Sequence, residues 1–242
     1  MTLNRPRVKN AIAPPMWEEL RRIFHEIRET NTDRVAVITG AGGAFCAGAD
    51  LGEDPAAGMH PLQGMNPVNA AALALHDVTK PTIAKVGGDA VGAGMNLALG
   101  CDLVVAGESA RFSQIFARRG LSVDFGGTWL LPRLIGLHKA KELALFADVI
   151  SAKEAEGIGV VNRVVPDGDL DGFVADWANR LAEGPPLALQ QTKRMLSNAF
   201  SLSLSEALAG EASAQSVNLA SEDMREGVAA FLEKRPPTFR GR

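Results

Sequence analysis

The sequence predicts a mixed α/β core followed by a helical C-terminal region, and three observations carry that reading. Short β-branched runs and glycine-rich turns dominate the first half of the chain. Apolar stripes at helical spacing dominate the last third. The composition is globular: 242 residues, 46% hydrophobic and 22% charged, with a mean hydropathy of +0.03. The pattern places the core at residues 1–182 and the helical region at 183–242.

The first element is a helix over 16–29. Met16, Trp17, Leu20, Ile23, Phe24 and Ile27 make one stripe, with Glu18, Arg21, Arg22 and Arg28 outside it. Arg34–Thr39 is short and β-branched, which predicts a buried strand. A glycine-rich turn follows at Gly40–Gly48. Residues 52–68 are rich in Gly, Pro, Ala and Met without periodicity and read as a loop. Thr82–Val86 and Asp102–Ala106 are further strands, with a small apolar helix over Gly92–Gly100 between them. A second glycine-rich stretch spans Gly120–Thr128. Helices follow: one over Lys139–Ala147, and another opened by a capping box of Ser151 and Glu154. A stripe through Leu170, Phe173, Val174, Trp177, Ala178 and Leu181 makes the next. Pro185-Pro186 interrupts it, and three helical stretches run on to about Arg235.

Charge and motif exclude several functions. The net charge of -3 and pI of about 5.9 oppose nucleic-acid binding. No apolar run approaches the ~18 residues of a membrane span, and the first residues carry no apolar signal core. The default compartment is the cytoplasm, or an organelle interior if a targeting segment precedes these residues. Cys46 and Cys101 form neither a disulfide framework nor a C-x-x-C pair. His25, His60, His76 and His138 stand singly, so no metal site is expected. Gly40–Phe45 follows a strand but has Phe45 where a dinucleotide fingerprint needs its last glycine. There is no Gly-Lys-Ser/Thr, and Ser109 lacks the second glycine of a nucleophile elbow.

Two turns remain. Phe45-Cys46-Ala47-Gly48-Ala49-Asp50-Leu51 has side chains small enough for a ligand to approach the backbone, which is also what any tight turn contains. Gly87–Asn96 opens a helix whose unpaired N–H groups would face an anion; close packing of helix on sheet accounts for its small residues equally. Paired, the turns would aim two N–H donors at one oxyanion, each worth on the order of 3 kcal/mol to a transition state.

A series of motifs in order resembles the crotonase superfamily, the enoyl-CoA hydratases and isomerases. They are Leu3-Asn4-Arg5-Pro6 with Asn10-Ala11, Phe45–Leu51, Lys80-Pro81-Thr82-Ile83-Ala84, and Gly92-Ala93-Gly94 leading to Cys101-Asp102. Gly126-Gly127-Thr128 with Leu131-Pro132-Arg133, Ser151–Ala155 with Gly159-Val160-Val161, and Phe231–Arg235 complete the series. The resemblance implies a crotonase-like spiral of ββα units with a C-terminal helical region, assembled as a homotrimer or a dimer of trimers. It implies an acyl-CoA thioester held by the backbone N–H groups of Ala49 and Ala93, coenzyme A being part of the substrate and no cofactor or metal being needed. Phe45 and Ala47 fall where relatives meet the adenine and pantetheine, in the same turn as Asp50 and Leu51. Phe231 and Lys234 fall where a C-terminal helix nears the nucleotide; a solvated surface lysine describes Lys234 equally well. Relatives begin with an extra strand before the first motif, so an early strand is absent here or the chain starts further upstream.

The resemblance also bears on the reaction. Hydratases of the superfamily use two glutamates, and the matching positions here hold Asn96 and Phe116, neither of which titrates. Asp124 stands where several isomerases carry an aspartate, so the chain is closest to those members. An allylic double-bond shift needs one base, and Asp124, with Phe116 and Phe125 as expected walls, fits that role; it would otherwise cap a turn. The alternatives are hydration or hydrolysis with Asn96 positioning water, nucleophilic dehalogenation, and a catalytically weak acyl-CoA-binding subunit.

Overall fold

In a computed structural model, described over residues 1–52 and 60–242, the chain forms two sheets wrapped by helices. The larger sheet is five-stranded and wholly parallel, in the order β1 (Thr2–Leu3), β2 (Ala36–Gly40), β3 (Thr82–Val86), β5 (Leu103–Gly107) and β8 (Arg163–Val165). The smaller sheet joins β4 (Asp89–Val91), β6 (Arg111–Ser113) and β7 (Ile150–Ser151). The spiral is visible in the chain order. β3 runs into β4, and β5 runs into β6, so each turn lays its first strand in the large sheet and its second in the small one. A Cys46–Ala90 bridge brings the 45–50 turn against the small sheet, and an Ile12–Ala49 bridge ties it to the chain near residue 12. The parallel large sheet carries apolar residues on both faces, as such sheets require. Ile38, Ala84, Val86, Val104 and Ala106 join one core, and Ile83 and Val105 pack against Leu170 and Val174 on the other face.

Helix α1 (Pro14–Glu29) starts on a proline at its first position, buries Trp17, Leu20 and Phe24, and packs against α3 (Asn66–His76), which follows the short α2 (Pro61–Gly64). Helix α4 (Ala93–Leu99) is buried at every residue. Beyond it lie α5 (Gly127–Ile135), α6 (Leu137–Phe146) and α7 (Ala152–Gly157), then α8 (Leu170–Ala182), which covers β3 and β5. The last helices are α9 (Pro186–Asn198), α10 (Leu204–Ala220) and α11 (Glu222–Glu233). Lys193 of α9 ties this region to the sheet by pairing with Asp102 at 2.7 Å and donating to the Lys80 carbonyl. The capping boxes at Ser151/Glu154 and Ser203/Glu206 are both formed.

Several expectations need correction. The loop over 52–68 fails at its C-terminal end, where α2 and the start of α3 lie; residues 53–59 of that stretch fall outside the described residues. Asp89–Val91 is a strand and not the opening of a helix, which begins only at Ala93. The second glycine-rich turn gives way at Gly127 to α5. Strands β6, β7 and β8 have three residues or fewer, too short to show an alternation. At the other end, Thr2–Leu3 itself forms a strand, paired with β2.

Candidate active site

Residues from both turns meet in a cleft of about 380 Å³. One wall is backbone. Ile12 donates to the Gly48 carbonyl at 2.8 Å and accepts from Asp50 N–H at 2.9 Å. Ala49 lies between these two bonds, and in parallel pairing such a residue turns its own N–H to the opposite side. Ala93 is the first residue of α4, so its N–H has no acceptor within the helix. The positive φ of this turn falls on Gly92, at 57°, which leaves Ala93 in ordinary helical backbone. The two segments touch: a Cβ added to Gly48 would sit 3.5 Å from Ala93 N, and one on Gly94 would collide with the Cys46 carbonyl.

The opposite wall is made of side chains. Phe116, on the turn after β6, lines the cleft with Leu121, Asp124 and Val149. Asp124 is half-buried, and its Oδ1 is buried with no hydrogen-bond partner among the described residues. Burial pushes its carboxyl up to about 6. Among the described residues, the other acidic side chain lining the cleft is Asp89. Burial raises its carboxyl, but bonds from Lys9 (2.8 Å) and Arg111 (2.9 Å) outweigh this and hold it below its ordinary range. One carboxylate is therefore clamped between cations, and the other is poised near neutrality.

The turn that presents Asp124 is strained. The Asp124 carbonyl accepts from Gly127 N–H at 3.0 Å, closing a turn whose two central residues, Phe125 (φ 46°) and Gly126 (φ 76°), are both left-handed. For phenylalanine this backbone costs about 1–2 kcal/mol. The Phe125 ring is buried against Trp17, with centroids 5.6 Å apart.

Of the residues singled out from the sequence, Ala47, Ala49, Leu51, Ala93, Phe116 and Asp124 line the cleft together. The rest do not. Phe45 is fully buried in the core and has no face to offer an adenine. Asp50 turns aside to Arg5, at 2.8 Å, and to Gly52 N–H. Asn96 is wholly buried behind the cleft wall, so it is not placed to hold a water in the cleft. Phe125 forms no wall of the cleft; it lines a separate apolar groove with Trp129 and Leu130. Phe231 and Lys234 stand exposed at the end of α11, away from this chain's cleft. Sequence reasoning missed Asp89 and Arg111, brought to the cleft by β4 and β6, Lys9, on the turn after residues 6–8, and Arg119, at the end of the turn that carries Phe116. Among the described residues there is no cluster of metal-ligating side chains, and no helix is long and apolar enough to cross a membrane.

The chain as a whole has counterparts among known proteins. The family described as enoyl-CoA hydratase/isomerase matches residues 1–242. The chain belongs to that family. It is 43% identical to a probable enoyl-CoA hydratase of Rhodobacter capsulatus, covering 100% of this chain and 94% of the relative. It is 39% identical, with the same coverage, to the 1,2-epoxyphenylacetyl-CoA isomerase of Escherichia coli. Among solved structures, an enoyl-CoA hydratase from Bacillus anthracis superposes with a TM-score of 0.94 at 36% identity, covering 100% of this chain and 94% of that one. The fold is thus the crotonase fold, in a chain of the enoyl-CoA hydratase/isomerase family.

Proposed function

We propose that the protein is an enoyl-CoA isomerase that shifts a double bond through a thioester enolate, with Asp124 as the base. The observation that carries this reading is the pairing of one poised carboxylate with two free-facing backbone donors across the cleft. For a 3-enoyl thioester, the Asp124 carboxylate takes a proton from C2. The C2–H electrons move into the thioester, and the oxyanion is held by the N–H groups of Ala49 and Ala93. Asp124 then returns the proton to C4, and the double bond settles between C2 and C3. No atom or electron leaves the substrate, so the chemistry calls for no metal or redox cofactor.

Hydration is the second reading, favoured by the name of the R. capsulatus relative. It needs one group to activate water and another to deliver a proton to carbon. Asp89, held ionised by Lys9 and Arg111, is a poor proton donor, which weighs against this reading. The E. coli relative is named as an isomerase of an epoxide-bearing CoA thioester, so isomerisation as well as hydration occurs among the relatives' names. Side-by-side assay of 3-enoyl-CoA and 2-enoyl-CoA thioesters tests the choice. Isomerisation should dominate; hydration as the main activity would reject the proposal.

We further read the chain as a homotrimer or dimer of trimers. Leu145, Phe146, Leu204, Phe231 and Leu232 are all large apolar side chains more than two-thirds exposed. Light scattering should give at least three times the 25.5 kDa chain mass. A stable monomer at micromolar concentration would refute it.

A further inference from the structure

The residue at one hydratase-glutamate position is occupied in a way that the proposed reaction does not explain. Asn96 is fully buried within α4. Its Nδ2 donates at 2.8 Å to the backbone carbonyl of Asp124, and its Oδ1 accepts at 2.8 Å from Nε2 of Gln114. Gln114 is also fully buried, and it directly precedes the turn that carries Phe116. A chain of two carboxamides therefore links the turn that carries Phe116 to the backbone of Asp124, both on the side-chain wall of the cleft. Neither amide reaches the cleft itself.

The packing shows what this chain holds. A Cβ on Gly127 would come within 2.6 Å of Asn96 Oδ1 and 2.6 Å of a Val123 methyl, and closer still to Asn96 Nδ2. The Asn96 amide is thus pressed against the backbone that closes the Asp124–Gly127 turn. That turn is the strained one, with left-handed backbone at Phe125 and Gly126. Left-handed phenylalanine persists only where its surroundings over-determine it. Here the surroundings are the Trp17 ring on one side and the Asn96 amide on the other.

We infer that Asn96, held by Gln114, is a positioning residue: it locks the strained Asp124–Gly127 turn and so aims the Asp124 carboxyl into the cleft. An amide suits this role better than a carboxylate. It donates to one carbonyl and accepts from one amide at the same time, whereas an ionised glutamate or aspartate there could only accept and would face the Asp124 carbonyl oxygen. The inference rests on Asp124 being the base, but its geometric claim is testable without turnover.

The test is the Asp124 carboxyl titration, followed by carbon NMR, in the wild-type chain and in Asn96→Ala and Gln114→Leu. Among the described residues, the other charged side chains lining the same cleft are Lys9, Asp89, Arg111 and Arg119, and all are retained in these variants. Release of the turn should let water reach the carboxyl and lower its midpoint by about one pH unit. In parallel, kcat for isomerisation should fall about 10–100-fold with KM changed less than about threefold. Gln114→Leu, one bond further from the turn, should show the same signs at smaller size, and it serves if Asn96→Ala does not fold. A Tm loss with an unmoved Asp124 midpoint and unchanged kcat would overturn the inference and leave Asn96 a packing residue. If instead the midpoint moves while Asp124→Asn keeps full activity, the positioning stands and the proposed base falls.

Discussion

The two walls of the cleft are built on opposite principles. The Ala47–Ala49 and Gly92–Ala93 wall works with main chain alone, and its side chains are small so that two segments can touch. The Asp124 and Phe116 wall works with side chains, held on a turn whose backbone is strained. On the proposed function, the first wall would hold the thioester oxygen and the second would choose the carbon that gains or loses a proton.

The largest expected effect sharpens the first wall. Gly94→Ala drives a methyl into the backbone carbonyl of Cys46, which cannot swing aside as the end of a flexible side chain would. It should destabilise the protein by about 3 kcal/mol or more, visible as a large drop in Tm or as insoluble expression. A variant as stable as the wild type would break the claim that the two segments are in contact.

The next effect concerns the second wall, and its sign is opposite. The unfolded Asp124 carboxyl ionises near its ordinary value, while in the folded protein it does so near 6. The folded state therefore holds the extra proton between these values, and stability falls as pH rises from about 4 to 6. Above that range the unpaired charge remains a constant cost of about 1–3 kcal/mol. Asp124→Asn should raise Tm at pH 7.5, with the gain vanishing below about pH 4. Equal Tm values at pH 7.5 would show that the carboxylate is better solvated than its burial indicates.

The smallest effect is the sharpest contrast. Ala49→Gly and Ala93→Gly keep both N–H donors, so isomerisation should stay within about threefold of wild type. Ala93→Gly, in the first turn of α4, should cost at most about 1 kcal/mol in stability. A hundredfold loss in either would mean that a methyl group, and not the backbone, does the work of that wall.

Much of this was legible before the structure. β-branched runs marked β2, β3 and β5, and apolar stripes marked α1, α8 and the helices after Pro186, because these elements are long enough to show their periods. The three-residue strands β4 and β6 were not legible, and with them went Asp89 and Arg111. In the site, Asp124, Ala49 and Ala93 could be picked because their chemistry is tied to short motifs. The direction of a side chain is not written that way. Phe45 and Phe125 both sit in the right motifs, yet one is core and the other turns its back on the cleft, because φ at Phe125 is left-handed. Asn96 read as a lost glutamate, and its bond to the Asp124 carbonyl joins positions 28 residues apart, a long-range pairing that no local pattern encodes.

The central claim is that one half-buried carboxylate does the proton transfer, and the pH dependence of kcat/KM for a 3-enoyl-CoA tests it most directly. The wild-type rate should rise with pH through a midpoint near 6, where Asp124 ionises. Asp124→Asn should lose about 10²–10⁴-fold in rate and lose that limb, with acyl-CoA affinity little changed. Full activity in Asp124→Asn, or an unchanged limb near pH 6 in that variant, would contradict the account.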